Sequence, residues 1–199
     1  MEANRTSDVK RNTQETKIEI SLDLDGPSYM DIHSGIPFFD HMLNAFAKHG
    51  GFGLRLHCDG DLEIDAHHSM EDTGLALGQA LRTALGDKRG ITRYGLSVIP
   101  MDESLARAVI DLSGRPYLGW HCVFPEGSVA GIPIRLFREF FQAFVNVCGC
   151  SLHINLEYCE ENHHGMEAIF KAFGHCLAEA VELKKGNKVL STKGSLKYN

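Results

Sequence analysis

The chain has 199 residues, enough to bury one full core or two half-domains that share a core. Its 43% hydrophobic and 23% charged residues are ordinary for a globular protein. The net charge of −6, without a lysine- or arginine-rich stripe, argues against a nucleic-acid-binding surface, so an anionic substrate would need local cations. The polar stretch from Met1 to Lys17 does not resemble a secretory leader, and no apolar run is long enough to span a membrane. We therefore expect a cytoplasmic location.

The first half of the chain predicts strands alternating with helices. Polar and apolar side chains alternate from Thr16 to Leu24, which is typical of a half-buried strand. Pro37 suits the first turn of a helix, and Gly50 with Gly51 suits its end. In chain order we expect a strand over 16–24, a loop over 26–36, a helix over 37–50, short strands over 52–57 and 61–64, and a helix over 72–85.

The same order returns after Gly90. Apolar segments predict strands over 96–99, 105–112 and 117–124, and a loop with Pro125 and Pro133 precedes a helix rich in phenylalanine. A strand over 152–156 and a helix over 168–183 complete the series. The two half-domains are expected at 1–92 and 93–199, the second with a C-terminal phosphate-binding tail, and together they should form one compact unit.

A five-residue phrase occurs twice. His67-His68-Ser69-Met70-Glu71 returns 96 residues later as His163-His164-Gly165-Met166-Glu167. A single His-His-x-x-Glu is explained equally well by solvated or helix-capping histidines. Two copies, each followed by a helical pattern, favour a binding motif that has been duplicated.

The similarity between the halves extends beyond this phrase. The segment from Phe38 to Gly51 resembles the segment from Arg138 to Gly149, with Phe46 aligned to Phe144. In that alignment His41 falls on Glu139, and both residue types can bind a metal ion. The offset here is 98 residues, which implies a slightly shorter loop in the second half.

The spacing within each phrase predicts how it would bind metal. Residues three and four apart share a helical face, whereas adjacent residues point about 100° apart. If they are helical, His67 and His68 cannot easily chelate one ion together, so each copy should serve two different ions, lying between halves or between subunits. Imidazole and carboxylate without thiolate suit manganese, iron or zinc, and octahedral geometry with open positions favours Mn²⁺. The eight candidate ligands are His41, His67, His68, Glu71, Glu139, His163, His164 and Glu167.

Several polar side chains are candidate substrate contacts, although each alone is more typical of a solvated surface residue. Lys171 follows Glu167 by four residues and should place a cation one turn above the metal-binding face. His49 lies eight residues after His41, on roughly the same helical face. The candidate phosphate ligands are Arg93, Arg115, Lys171, Ser191 and Lys193. The isolated histidines His57, His121 and His175 are interpreted as core or surface groups.

These segments resemble the imidazoleglycerol-phosphate dehydratases of histidine biosynthesis over essentially the whole chain. The matching phrases are Phe38 to Leu43, Asp65 to Asp72, Asp111 to Tyr117, Asn162 to Phe173 and Ser191 to Gly194. The resemblance implies an α+β fold of internally duplicated half-domains, with four helices packed between two four-stranded sheets, as in domain 2 of ribosomal protein S5. It also implies a homo-oligomer, a 24-subunit shell built from trimers, with sites between subunits.

The resemblance assigns roles to the residues already named. The eight candidate ligands would bind two Mn²⁺ ions per active site. The catalytic group would comprise Glu15, His68, Glu71, His164 and Glu167. The substrate would contact Glu15, His41, His49, Arg93, Arg115, Lys171, Ser191 and Lys193. The chain departs from the family in having Glu139 where a histidine is common and Thr192 where a serine is common.

The reaction implied is the dehydration of D-erythro-imidazole glycerol phosphate to imidazole acetol phosphate. A proton must leave a carbon beside the imidazole ring, which is too weak an acid unless the ring accepts the electrons. Metal ions on the ring nitrogens would stabilise an imidazolate. Either Glu15 or Glu167 could move the proton, and the sequence does not choose between them.

Two other function classes remain open from the residues alone. A dinuclear metallohydrolase acting on a phosphate ester would use metal-bound hydroxide, but it predicts aspartate-rich ligation that the motifs lack. A non-catalytic metal-storage or shell-forming protein would leave Arg93, Arg115, Lys171 and Lys193 without a purpose. Neither class involves nucleic acid or a membrane.

Overall fold

The computed structural model describes residues 5–27, 29–184, 186, 188–192 and 196. The first half contains β1 (Thr6–Asn12), β2 (Thr16–Asp23), β3 (Met30–His33), α1 (Pro37–Gly50), β4 (Gly53–Gly60) and α2 (His67–Leu85). The second half contains β5 (Tyr94–Met101), β6 (Ser104–Asp111), β7 (Tyr117–His121), β8 (Ser128–Val129), β9 (Ile132–Pro133), α3 (Ile134–Cys148), β10 (Ser151–Tyr158) and α4 (Asn162–Val181). Among these described residues, no helix is both long and apolar enough to cross a membrane.

The two four-stranded sheets share one topology. The strand order is β1-β2-β4-β3 in the first and β5-β6-β10-β7 in the second. In each sheet three strands are antiparallel, and the last edge strand runs parallel to its neighbour. With four helices covering the sheets, this is the duplicated α+β fold that the resemblance implied.

Phenylalanines from three helices fill the space between the sheets. Phe46 of α1 stacks on Phe173 of α4 with ring centroids 4.8 Å apart, and Phe140 of α3 stacks on Phe170 of α4 at 5.7 Å. All four rings are buried. Because such rings bury large apolar areas, this layer holds both halves in one core.

Glycines let the helices approach in matching pairs. A Cβ on Gly174 of α4 would lie 2.5 Å from the Phe46 carbonyl oxygen of α1, and one on Gly78 of α2 would lie 2.6 Å from that of Phe144 in α3. Gly78 and Gly174 are 96 residues apart, as are the two motifs, and Phe46 and Phe144 are 98 apart. The α1–α4 and α3–α2 pairs are therefore packed in the same register.

The helices agree well with prediction, whereas some strands do not. The strand predicted over 61–64 is wrong: this segment is a turn in which the Leu62 amide donates to the Gly60 carbonyl and the Ile64 amide to the Asp61 carbonyl. β1 and β3 were not predicted, because one lies in a polar stretch and the other between turn-forming glycines and prolines. Both motif helices begin earlier than predicted and include their histidines, and α4 ends two residues before position 183.

The close helix pairing gives a stability prediction. Gly174→Ala should lower the free energy of unfolding by about 1–3 kcal/mol, because the new methyl group overlaps the α1 backbone. Gly127→Ala is the matched control, since a Cβ there meets nothing within 4 Å. Urea unfolding of both variants measures the difference, and equal stabilities would contradict this account of the packing.

Candidate active site

Two parallel helices bring together the second motif and His41. The Nε2 atoms of His41 on α1 and His163 on α4 each lie 3.3 Å from Oε2 of Glu167. One donor atom from each of these three residues lies within 4.8 Å of the other two. Lys171, one turn further along α4, places its Nζ 2.6 Å from Oε1 of Glu167. The cluster is therefore one buried carboxylate shared by two imidazoles and an ammonium group.

Charge balance keeps Glu167 ionised. Burial acts to raise the pKa of Glu167, but the hydrogen bond and charge of Lys171, with the contact to His41, hold it below its usual range. The same lysine affects His49, which lies further along α1 with its Nδ1 3.3 Å from Nε2 of His175. Burial, Lys171 and His175 lower the pKa of His49, so this imidazole favours its neutral form.

The first motif forms a simpler pair. Nε2 of His67 lies 3.1 Å from Oε2 of Glu71, one turn apart on α2. The Glu139 side chain forms no ion pair or hydrogen bond with any described residue, although the helix register aligns it with His41. The counterparts of His41 and Glu167 in the first half are Glu139 and Glu71, two carboxylates, so this pair lacks the imidazole–carboxylate attraction of the second motif. Leu75 stands where Lys171 follows the second motif, so this copy has no ammonium group at that position.

The two histidines of each motif point in different directions. The ring planes of His67 and His68 differ by 88°, and those of His163 and His164 by 77°. In both copies the first histidine contacts the glutamate of its own motif, and the second turns toward another set of carboxylates. The geometry agrees with the divergence expected for adjacent helical residues.

The second histidine of each pair contacts carboxylates from loops. Nδ1 of His68 lies 2.9 Å from Asp61, and its Nε2 lies 3.7 Å from Glu15 in the β1–β2 turn. Nδ1 of His164 lies 3.0 Å from Glu103 in the β5–β6 turn. The first hairpin of each half thus brings a carboxylate to the second histidine of its motif.

Sequence reasoning missed Asp61, Asp102 and Glu103. The sequence predicts a strand for the segment with Asp61, and its pattern does not align the Asp102-Glu103 turn with the turn that carries Glu15. Asp102 lies 4.0 Å from His164 and forms a three-residue cluster with it and Glu103. The duplication itself was the available signal, because Glu103 occupies the hairpin that corresponds to the one carrying Glu15.

These carboxylates fix how the imidazoles are protonated. With a proton on Nδ1, His68 donates to Asp61 and His164 donates to Glu103, which leaves each Nε2 lone pair free for another partner. In the chain without metal, the hydrogen bond to Asp61 raises the pKa of His68 above its ordinary value. Glu103 raises the pKa of His164 in the same way.

At the far end of α4, Arg93 contacts the residue that precedes Ser191 in the tail. The Arg93 guanidinium donates to Asp111 at 2.7 Å and to the Leu190 carbonyl at 2.5 Å, so the described part of the tail, with Ser191, runs beside it. Arg93 adopts a positive φ of 76°. The ion pair with Asp111 and the hydrogen bond from the Arg93 amide to the Ala180 carbonyl hold this conformation. Lys193 lies outside the described residues.

Arg93 and Arg115 lie far from the motif residues of their own chain. The Arg93 amide donates to Ala180, 13 residues after Glu167 along α4, a separation of about 20 Å. Arg115 is exposed in the turn beside Gly149 at the end of α3, and its guanidinium has no hydrogen bond or ion pair within the described part of the chain. One chain therefore does not bring the two arginines to its own motif clusters.

The fold and the clusters define a class: a duplicated α+β protein with paired imidazole–carboxylate groups of the kind that suits a divalent cation. A family model described as imidazoleglycerol-phosphate dehydratase matches residues 34–177. The chain belongs to this family. It is accordingly a hydro-lyase of histidine biosynthesis that acts on a small-molecule substrate.

Individual relatives agree with this assignment. The imidazoleglycerol-phosphate dehydratases of Pelobacter propionicus and Trichlorobacter lovleyi are 51% and 50% identical over 193 residues, which cover 96% of this chain and 99% of each relative. The crystal structure from Staphylococcus aureus has a TM-score of 0.81 at 37% identity, covering 90% of this chain and 99% of that one. The structure from Pyrococcus furiosus, solved in complex with (S)-C348, has a TM-score of 0.82 at 33% identity, covering 94% and 99%.

The Asp61 contact gives a testable pKa prediction. In the metal-free protein, Asp61→Asn should lower the pKa of His68, because the carboxylate that stabilises its protonated ring is removed. At a pH between the pKa values of His68 in the two proteins, this imidazole is mostly charged in the original chain and mostly neutral in the variant. Titration of the His68 ring by NMR measures this shift. Glu63→Gln, an exposed neighbour, is the control, and an unchanged His68 in Asp61→Asn would contradict the assigned contact.

Proposed function

We propose that this chain dehydrates D-erythro-imidazole glycerol phosphate to imidazole acetol phosphate at sites that hold two Mn²⁺ ions and are completed by neighbouring subunits. The observation that carries the proposal is the arrangement of the motif histidines. Each first histidine contacts a glutamate of its own helix, and each second histidine is held through Nδ1 by a loop carboxylate on a different side.

The residues present fit divalent ions. The His41–His163–Glu167 cluster offers two nitrogen atoms and a carboxylate that is ionised even when buried. The His67–Glu71 pair offers the same chemistry, and Glu139, which the helix register aligns with His41, would add a second carboxylate there. The proposed ligands are His41, His67, His68, Glu71, Glu139, His163, His164 and Glu167. Bound Mn²⁺ would act as a Lewis acid that makes the substrate ring a better electron acceptor.

Two observations support a homo-oligomer with shared sites. Arg93 and Arg115 lie at the helix ends remote from the motifs of their own chain, so a neighbour must supply them if they meet the substrate there. The outward face of β5 also exposes Tyr94, Leu96 and Val98, an apolar strip suited to subunit contact. The 24-subunit shell built from trimers and the cytoplasmic location belong to this proposal.

Glu15 is better placed than Glu167 to move the proton. Glu167 is committed to Lys171 and two imidazoles, whereas the Glu15 side chain is 54% exposed and lies 3.7 Å from Nε2 of His68. A carboxylate that is within reach of the site and not tied into an ion-pair network can accept a proton and release it again. His68, Glu71, His164 and Glu167 would then hold and orient the reacting ring.

The phosphate would be bound by cations from separate elements. Asp111 orients Arg93 beside the tail that carries Ser191, and Arg115 is exposed in its turn. Lys171 would reach from the metal cluster toward the substrate, with the neutral imidazole of His49 nearby on α1. Lys193 would complete the set from the tail.

The test is formation of the enol product from imidazole glycerol phosphate. The Mn²⁺-loaded enzyme should form it, and the chelator-treated enzyme should not. Glu15→Gln should lower kcat by about 10²- to 10⁴-fold with Mn²⁺ content unchanged, because only proton transfer is lost.

Glu160→Gln, an exposed glutamate outside these clusters, serves as the control and should retain full activity. No product from the metal-loaded wild-type enzyme would refute the proposed function. Full turnover by Glu15→Gln would refute the role of Glu15 alone.

A further inference from the structure

A second group of imidazoles lies on the outward face of the first sheet. His33 on β3 and His57 on β4 are directly opposite each other on parallel strands, with ring centroids 5.2 Å apart. Asp31 lies on the same face, two residues before His33. Its two carboxylate oxygens are each 3.3 Å from one of the Nε2 atoms, Oδ1 from that of His33 and Oδ2 from that of His57. The three donor atoms lie within 4.8 Å of one another.

We propose that Asp31, His33 and His57 bind a divalent transition-metal ion of the zinc, nickel or copper type. Two imidazoles and one carboxylate are a suitable donor set for these ions, and the remaining positions would be filled by water. The ligands project from paired strands, whose backbone hydrogen bonds fix their spacing without a flexible loop.

This site is separate from the motif clusters. Along β4, Leu54 and Leu56 are buried toward the helices, so the alternating His57 points to the opposite face of the sheet. The motif histidines are all on α2 and α4, in the helical layer. An ion at His57 is therefore divided from the motif clusters by the sheet itself.

The duplicated half does not repeat the site. In the second sheet Asn155 takes the place of His57, opposite His121 on β7, and Gly119 takes the place of Asp31. The catalytic motif is present in both halves, whereas this cluster is present in one. The surface ligands are thus a property of the first sheet and not a by-product of the duplicated active site.

Neighbouring charges would tune the affinity. Nε of Arg55 lies 3.3 Å from Oδ2 of Asp31, so an incoming cation must displace it. The arginine side chain is 61% exposed, which leaves it room to turn into solvent. Glu19 lies opposite His57 on the other side of β4, but its carboxylate binds Lys10 at 2.6 Å.

The test measures Zn²⁺ and Mn²⁺ together on the assembled, Mn²⁺-loaded enzyme. Zn²⁺ is added, excess is removed, and both metals are counted per chain while activity is recorded. The original chain should bind one Zn²⁺ more than His57→Gln or His33→Gln, with equal Mn²⁺ content and activity. Each substitution should raise the apparent Kd of this Zn²⁺ by at least about tenfold, the loss found even for partners outside the first ligand shell.

Two further variants sharpen the result. His121→Gln is the matched control and should leave Zn²⁺ binding unchanged. Arg55→Gln should tighten binding, because the competing cation is removed. Equal Zn²⁺ content in the original chain and both histidine variants would overturn the proposal. So would a loss of Zn²⁺ binding in His57→Gln that is accompanied by loss of Mn²⁺.

Discussion

Adjacent residues on an α-helix point about 100° apart, and this angle separates the two histidines at the start of each motif helix. His67 and His163 turn along their own helices toward Glu71 and Glu167, while His68 and His164 turn toward loop carboxylates. Each pair of histidines therefore contacts carboxylates on two different sides of its helix. Close contacts at Gly78 and Gly174 set the packing of the four helices. This packing determines which side chains each histidine contacts.

Duplication supplies the framework, and substitutions within it make the two halves unequal. His41 faces Glu167 across one helix pair, whereas its counterpart Glu139 forms no ion pair with any described residue. Lys171 neutralises Glu167, whereas Leu75 stands in the corresponding place after Glu71. The second-half cluster is therefore held by attraction between its own members, whereas the first half forms the simpler His67–Glu71 pair.

The sequence predicted those parts of the fold that local pattern determines. The helix from Pro37 to Gly50 and the strand at Thr16 carry their own periodicity and end signals, and both were located within a residue or two. The contacts of Asp61 and Glu103 could not be predicted in this way, because turn residues reach the motif histidines only through tertiary packing. His57 was interpreted as an isolated histidine for the same reason, since its partner His33 is adjacent only after β3 pairs with β4. The resemblance named Arg93 and Arg115 but could not show that they lie at the helix ends remote from the motifs.

The separation of the arginines from the motif clusters makes a shared site the central claim, and mixed assemblies test it most directly. Glu167→Gln and Arg115→Gln should each be inactive alone, since one lacks a proposed metal ligand and the other a proposed phosphate ligand. If neighbouring chains complete each site, some sites in a mixed assembly combine Glu167 from an Arg115→Gln chain with Arg115 from a Glu167→Gln chain. Those sites contain neither substitution. Such mixtures should regain a measurable fraction of wild-type activity. Mixed assemblies of normal mass that remain as inactive as the separate variants would contradict the claim.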